Sequence, residues 1–298
     1  MNIPYAVVAD VAGQQSDKIA RSWSAAIELE LLKGPGRTDI RHVLHKGPLR
    51  IQRPFYPEGE CCHVYLLHPP GGMVPGDELQ VAIDLGTGAE ALLTTPSAGK
   101  AYKSDKQKTA QLQGITAHIS SDACLEWLPQ ETIIFDGAEA ELRNDFHLSG
   151  NAKLLAWDIV VLGRRASGES FDAGRCLQRF TILRDGRPLL NERTLWEGGS
   201  DMLRANWGMA NRWVSGSLFA TLEADRATLD VLREGLAAQP YFDKCQAEWG
   251  LSQRRDVFMA RYLGNSPEHC RKGFEYLWGQ LRPLLNGREA CRPRIWNT

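Results

Sequence analysis

The densest group of metal-ligand side chains in the sequence is Cys61-Cys62-His63, followed closely by His68. Thiolate and imidazole hold borderline-soft cations, so the group has the chemistry of a metal site. Its spacing opposes a closed one. An extended chain over 62–68 places Cys62 and His68 on one face but roughly 20 Å apart, with His63 on the other face. The group cannot form a tetrahedral cage alone, so His63 and His68 are candidates only for transient contact with a metal.

Carboxylates in marked local contexts are the second chemical resource. Asp77 follows Pro75-Gly76, Glu131 lies just beyond Trp127-Leu128-Pro129-Gln130, Glu169 follows Gly168, and Glu192 precedes Arg193. Asp158 interrupts the apolar run Leu154 to Leu162. A carboxylate buried there is destabilising unless it is paired, hydrogen-bonded or ligating a cation. One reading is a structural pair with Arg193 or Arg164. The other is a hydrated passage for a cation, shared by Asp77, Asp158 and Glu192, with Glu131 and Glu169 as further members.

Other chemistries fail on their own spacing. Gly86-Thr87-Gly88-Ala89-Glu90-Ala91 begins like a dinucleotide fingerprint, but Leu92-Leu93-Thr94-Thr95-Pro96 cannot open the helix it requires, and a hairpin turn accounts for it better. Gly99-Lys100 lacks the earlier glycine of a phosphate loop, and Ala101 stands where that loop needs Ser or Thr. Lys100 and Tyr102 then read as polar surface suited to docking. Neither GxSxG nor HExxH occurs, and the 7 histidines are dispersed.

The elements that must position these groups are mainly strands. Leu79, Val81, Ile83 and Leu85 alternate with Gln80, Ala82 and Asp84, the period of a strand with one buried face. Similar segments recur at 25–31, 64–67, 91–95, 117–119, 154–162, 180–183 and 189–190, punctuated by Gly, Pro and Asp. Beyond residue 220 the pattern changes. Leu229, Leu232 and Leu236 have helical spacing, and Ser266-Pro267-Glu268 offers a cap, a first-turn proline and an acidic first turn ahead of Cys270, Phe274, Trp278 and Leu281. Val257 to Leu263 reads as a strand between the two helices. The expectation is a single domain over 21–298, mainly β with two C-terminal helices, preceded by an extension over 1–20 of unassigned structure.

Composition narrows the partners. The 298 residues carry 35 Lys and Arg against 36 Asp and Glu, a net charge of −1, which gives no basic excess to attract nucleic acid. No apolar run approaches the roughly 20 residues that span a bilayer, and the first residues lack the pattern of a secretory signal, so neither nucleic acid nor membrane is expected as a partner. An odd, scattered set of 7 cysteines suits reduced thiols in the cytoplasm.

Taken in order, several motifs resemble one family. They are His45-Lys46-Gly47-Pro48-Leu49, Gln52-Arg53-Pro54-Phe55-Tyr56-Pro57, Leu66-Leu67-His68-Pro69-Pro70-Gly71-Gly72 and Thr95-Pro96-Ser97-Ala98-Gly99-Lys100. Glu126-Trp127-Leu128-Pro129-Gln130-Glu131-Thr132, Trp157-Asp158, Leu162-Gly163-Arg164, Glu192-Arg193 and Pro293-Arg294-Ile295-Trp296 continue the likeness. Over about 40–298 the sequence resembles the urease accessory protein family UreD, called UreH in some organisms; Arg165 stands where that family often has proline.

The resemblance implies a β-helix-like stack of strands and a cytoplasmic, non-enzymatic nickel chaperone. Its implied partners are apo-urease, UreF and, through UreF, the GTPase UreG, with nickel a transient cargo and no permanently bound cofactor. Isolated carboxylates suit such a role, because weak oxygen ligands release a metal that a closed cage would retain. A passive assembly scaffold and a hydrolase using Asp158 and Glu192 are the alternatives. Ile295 and Trp296, apolar groups in an Arg-rich tail, are candidate partner contacts beside Lys100 and Tyr102.

Overall fold

Leu79, Val81, Ile83 and Leu85 are buried while Glu78 and Asp84 face solvent, so the alternation read in the sequence is the pleat of a strand. The computed structural model describes residues 23–242 and 247–297; the extension over 1–20 and Cys245 lie outside the described residues. The chain runs β1 (Ser24–Lys33), β2 (Thr38–Lys46), β3 (Arg50–Ile51), β4 (Cys62–Leu67), β5 (Glu78–Leu85), β6 (Glu90–Thr94), β7 (Gly99–Ala101), β8 (Gln111–Ile119), β9 (Cys124–Trp127) and β10 (Thr132–Ile134). It continues through β11 (Glu139–Leu148), β12 (Lys153–Leu162), β13 (Arg175–Arg184), β14 (Arg187–Glu197), α1 (Asp201–Arg204), β15 (Val214–Ala220), α2 (Arg226–Ala237), β16 (Glu248–Arg254), β17 (Val257–Gly264) and α3 (Pro267–Asn286).

Two sheets share these strands. One has the order β14-β13-β11-β8-β5-β1-β2, and the other β16-β17-β15-β12-β9-β6-β4-β3, with β10 and β7 attached to β12. From β4 to β13 the chain crosses repeatedly from sheet to sheet, and neighbours in the central part of each sheet are parallel. The result is a β-helix-like stack, as the resemblance implied. The Gly86–Gly88 turn joins β5 in one sheet to β6 in the other, so it is a corner of the stack and not the hairpin that its composition suggested. A hairpin does occur at Asp185-Gly186, where φ of 50° and 75° supplies the left-handed pair that a tight two-residue turn needs.

One apolar layer, including Ile27, Ile83, Phe146 and Phe180, fills the space between the sheets. A second lies on the far side of the ten-stranded sheet, where Trp157, Leu218 and Phe258 meet Phe274, Leu277 and Leu281 of α3. Strand β12 serves both layers and is therefore buried along almost all its length. Helix α3 begins as its sequence indicated: the Ser266 side chain accepts from His269 N, Pro267 occupies the first turn, and Gly287 closes the helix with φ 75°.

Candidate functional site

The ten-stranded sheet has a gap in its middle. Strands β6 and β7 form one interrupted line, and β9 and β10 form a second beside it. Pro96 and Pro129 fall in the interruptions, and a proline has no N–H to continue a ladder. The opening is held by specific bonds: Gln130 N donates to Thr95 Oγ1 (2.9 Å), and Trp157 Nε1 donates to Pro129 O (2.7 Å). A cavity of about 350 Å³ lies beneath, lined by His68, Lys100 and Gln130 at its polar side and by Leu79, Val81 and Ile115 from the facing sheet. His68 thus stands in a cavity wall. Burial lowers its pKa, an effect that the charge of Asp77 opposes.

A second cavity, about 440 Å³, opens between the sheets at the β14 and β17 side. Gln178, Glu192, Ser217 and Arg261 line it. Glu192 is bonded to Arg261, whose other nitrogen reaches Ser217 Oγ. Behind this wall Asp158 points between the sheets, where Asn144 Nδ2 (3.1 Å) and Gln178 Nε2 (2.8 Å) both donate to its Oδ2. No arginine among the described residues pairs with Asp158. Arg164 binds Glu169 instead, and Arg193 lies opposite Arg179 in the outer hairpin, so the ion pair weighed from sequence does not form. Burial raises the Asp158 pKa, and the bond from Gln178 offsets this only in part.

The remaining carboxylates are dispersed. Asp77 fastens the Pro75-Gly76 turn by accepting from Val74 N (2.9 Å) and Trp23 N (3.1 Å). Glu131 lies 3.8 Å from Arg271, with its Oε2 buried and without a hydrogen bond. Glu169 accepts from Asp136 N as well as Arg164. The structure therefore brings Asp158 and Glu192 to one region and leaves Asp77, Glu131 and Glu169 elsewhere. In the tail, Trp296 is only 7% exposed; it donates to Thr94 Oγ1 (2.8 Å) and packs on Trp157 and Trp278. It anchors the tail to this chain's own core, with Ile295 half-buried beside it. Lys100 is half-buried on β7, and Tyr102 packs its edge against Phe135.

Sequence reasoning missed a buried charge network. Arg282, fully buried on α3, binds both oxygens of Glu58 (2.6 and 2.8 Å) and both oxygens of Glu126 (3.0 Å each). Trp278 Nε1 adds a bond to Glu126 (2.5 Å), and His63 Nε2 contacts Glu58 Oε1 at 2.6 Å. Burial would raise Glu58, but the bonds from His63 and Arg282 outweigh it and hold its pKa at about 2. Glu126, wholly buried, is pushed upward despite Arg282.

Among the described residues, Glu58, Cys61 and His63 are the one group of three whose ligand atoms all lie within 4.8 Å of one another. The group is poorly suited to a cation. Arg282 already occupies both Glu58 oxygens, its positive charge repels a second cation, and burial holds the Cys61 thiol protonated. His63 does turn away from Cys62, as the strand pattern required: Cys62 enters the layer between the sheets and Cys61 the layer under α3.

With the geometry in place, the comparisons with known proteins decide the family. The family described as UreD urease accessory protein matches residues 24–297. This chain belongs to the UreD family. The "Urease accessory protein UreD" of Saccharophagus degradans is 50% identical over 93% of this chain and 94% of its own length. Proteins with the same name from Chromohalobacter salexigens and Pseudoalteromonas translucida are 41% and 40% identical, covering 93% and 100% of this chain and 90% and 98% of their own lengths. No helix among the described residues is long and apolar enough to cross a membrane.

Proposed function

We propose that this UreD chain acts in the cytoplasm as a non-enzymatic maturation factor. It docks apo-urease together with UreF and, through UreF, the GTPase UreG, and it passes nickel toward the di-nickel centre of urease. Asp158 carries the metal part of this reading. It is buried, is held by the side-chain amides of Asn144 and Gln178 and by a backbone N–H of Ile159, all neutral donors, and lies behind a cavity of about 440 Å³ whose wall includes Glu192. A carboxylate whose burial favours proton uptake is equally stabilised by a passing cation, and these neutral donors hold it in place without neutralising it. Exchange stays fast because the oxygen donors are few and hard relative to nickel's preferred ligands.

Asp158 and Glu192 form the centre of the proposed passage. Asp77, Glu131 and Glu169 are outlying members, since they lie away from the Asp158 and Glu192 region; like Glu192, which pairs with Arg261, each is engaged with a backbone N–H or an arginine. Lys100, Tyr102 and Ile295 are proposed partner contacts, while Trp296 supports that surface from below. A passive scaffold is favoured by the Glu192–Arg261 and Glu169–Arg164 pairs, which tie these carboxylates to arginines of this chain. Purifying the full chain with apo-urease and UreF, then measuring metal in the urease, separates the readings: metal transfer needs this chain present and exceeds what assembly alone gives. Equal nickel in urease with and without this chain overturns the proposal.

A further inference from the structure

We propose that the solvent face of the seven-stranded sheet carries a second, open metal site for a divalent first-row cation, built on His118 and His147. These residues are register partners on the adjacent parallel strands β8 and β11, and their rings stack with centroids 4.8 Å apart. Both project from the outer face, since their strand neighbours Ala117, Ile119, Phe146 and Leu148 fill the core. On the other side of His118 the partner is Asp84 of β5, and beyond it Glu30 of β1. Asp145 lies two residues before His147 on the same face, close enough that its charge acts on His147. The rung therefore presents two imidazoles flanked by carboxylates, a borderline ligand set that suits Ni²⁺ or Zn²⁺.

Three features make this pair a better site than the buried Glu58, Cys61 and His63 group. It is open to water, so a metal can enter and leave. Among the described residues no guanidinium is hydrogen-bonded to Glu30, Asp84 or Asp145, although Arg143 shares the face and its charge acts on Asp145, and the flanking carboxylates make the local field attractive to cations. Stacked rings direct their lone pairs side by side, so binding requires one imidazole to rotate. That rotation is inexpensive for side chains on the solvent face of a sheet, whose spacing of about 4.8 Å already brings them together.

The site does not depend on the interior passage. Titrating the full chain with NiCl₂ or ZnCl₂ by calorimetry should reveal a site whose affinity falls more than about tenfold in the His118→Ala, His147→Ala double variant. Asp158→Asn should leave that site unchanged. Because the double variant could fail to fold, the deciding measurement is made on the native chain: substoichiometric Ni²⁺ should broaden the ring resonances of His118 and His147 before those of the other five of the 7 histidines. Broadening that begins at His63, His68 or another histidine, or an affinity unchanged in a folded double variant, overturns the proposal.

Discussion

Replacing Arg282 with methionine isolates the network that joins α3 to the ten-stranded sheet. The substitution keeps an apolar stem in a fully buried position but removes the guanidinium that joins Glu58 and Glu126, carboxylates 224 and 156 residues away from it in sequence. The buried Glu126 is then left without a counter-charge beside the half-buried Glu58. Removing one partner of a buried ion pair costs about 3–5 kcal/mol, against about 0–1 kcal/mol for an exposed pair. At roughly 2–4 °C per kcal/mol for a chain of this size, the melting temperature should fall by about 6–20 °C.

The pH dependence gives the same reasoning a sign. In the native chain Glu58 has a folded pKa of about 2 against an unfolded 4.5, so its contribution is fully present above pH 4.5 and disappears as the pH falls toward 2. In the Arg282→Met variant Glu126 is buried without a counter-charge, which raises its folded pKa further above the unfolded one, while Glu58 keeps its bond from His63. The deficit of the variant should therefore shrink between pH 8 and pH 5, as Glu126 takes up a proton. Thermal or urea unfolding at a series of pH values reads this directly. A loss below about 1 kcal/mol, or a deficit that grows as the pH falls, would refute the assignment.

Trp296→Ala should cost about 3–5 kcal/mol in urea unfolding, because it empties a buried ring site and breaks the bond to Thr94; an unaltered midpoint would mean that the tail does not rest on the core. Asp158→Asn should stabilise the isolated chain at neutral pH. The folded Asp158 has a raised pKa, so its charge is a penalty that develops as the pH climbs above 3.8, and the advantage of the variant should vanish below that pH. A variant less stable than the native chain at pH 7 would show that the two amide bonds to the carboxylate outweigh its burial.

Most of the fold was legible because the local signals agree with the tertiary structure. Alternation marked β5 and the apolar run marked β12, while the serine and proline ahead of α3 fixed its start. The sheet to which each strand goes was not legible. The Gly86–Gly88 turn has hairpin composition, yet its two strands belong to different layers, a choice made by long-range packing. Asp158 announced itself as a charge in an apolar run, but its partners did not: Asn144 and Gln178 are ordinary polar residues until parallel pairing sets them inward.

Arg282 left one overlooked signal. It follows Trp278 by one helical turn on the buried face that also carries Phe274 and Leu285, and a charge at such a position requires a buried partner. Glu58 offered no comparable sign, since it belongs to a loop. His118 and His147 were set aside as dispersed histidines because their sequence separation hides a register pairing.

The central claim is that a metal passes the interior carboxylates, and the nickel content of urease matured at limiting metal tests it most directly. Urease is assembled with UreF, UreG and either the native chain or its Asp158→Asn, Glu192→Gln variant, and nickel is counted per active site after the complex is shown intact. The account predicts normal assembly with clearly lower nickel occupancy and proportionally lower urease activity. Full occupancy from an intact variant complex would contradict it and leave the chain as a scaffold.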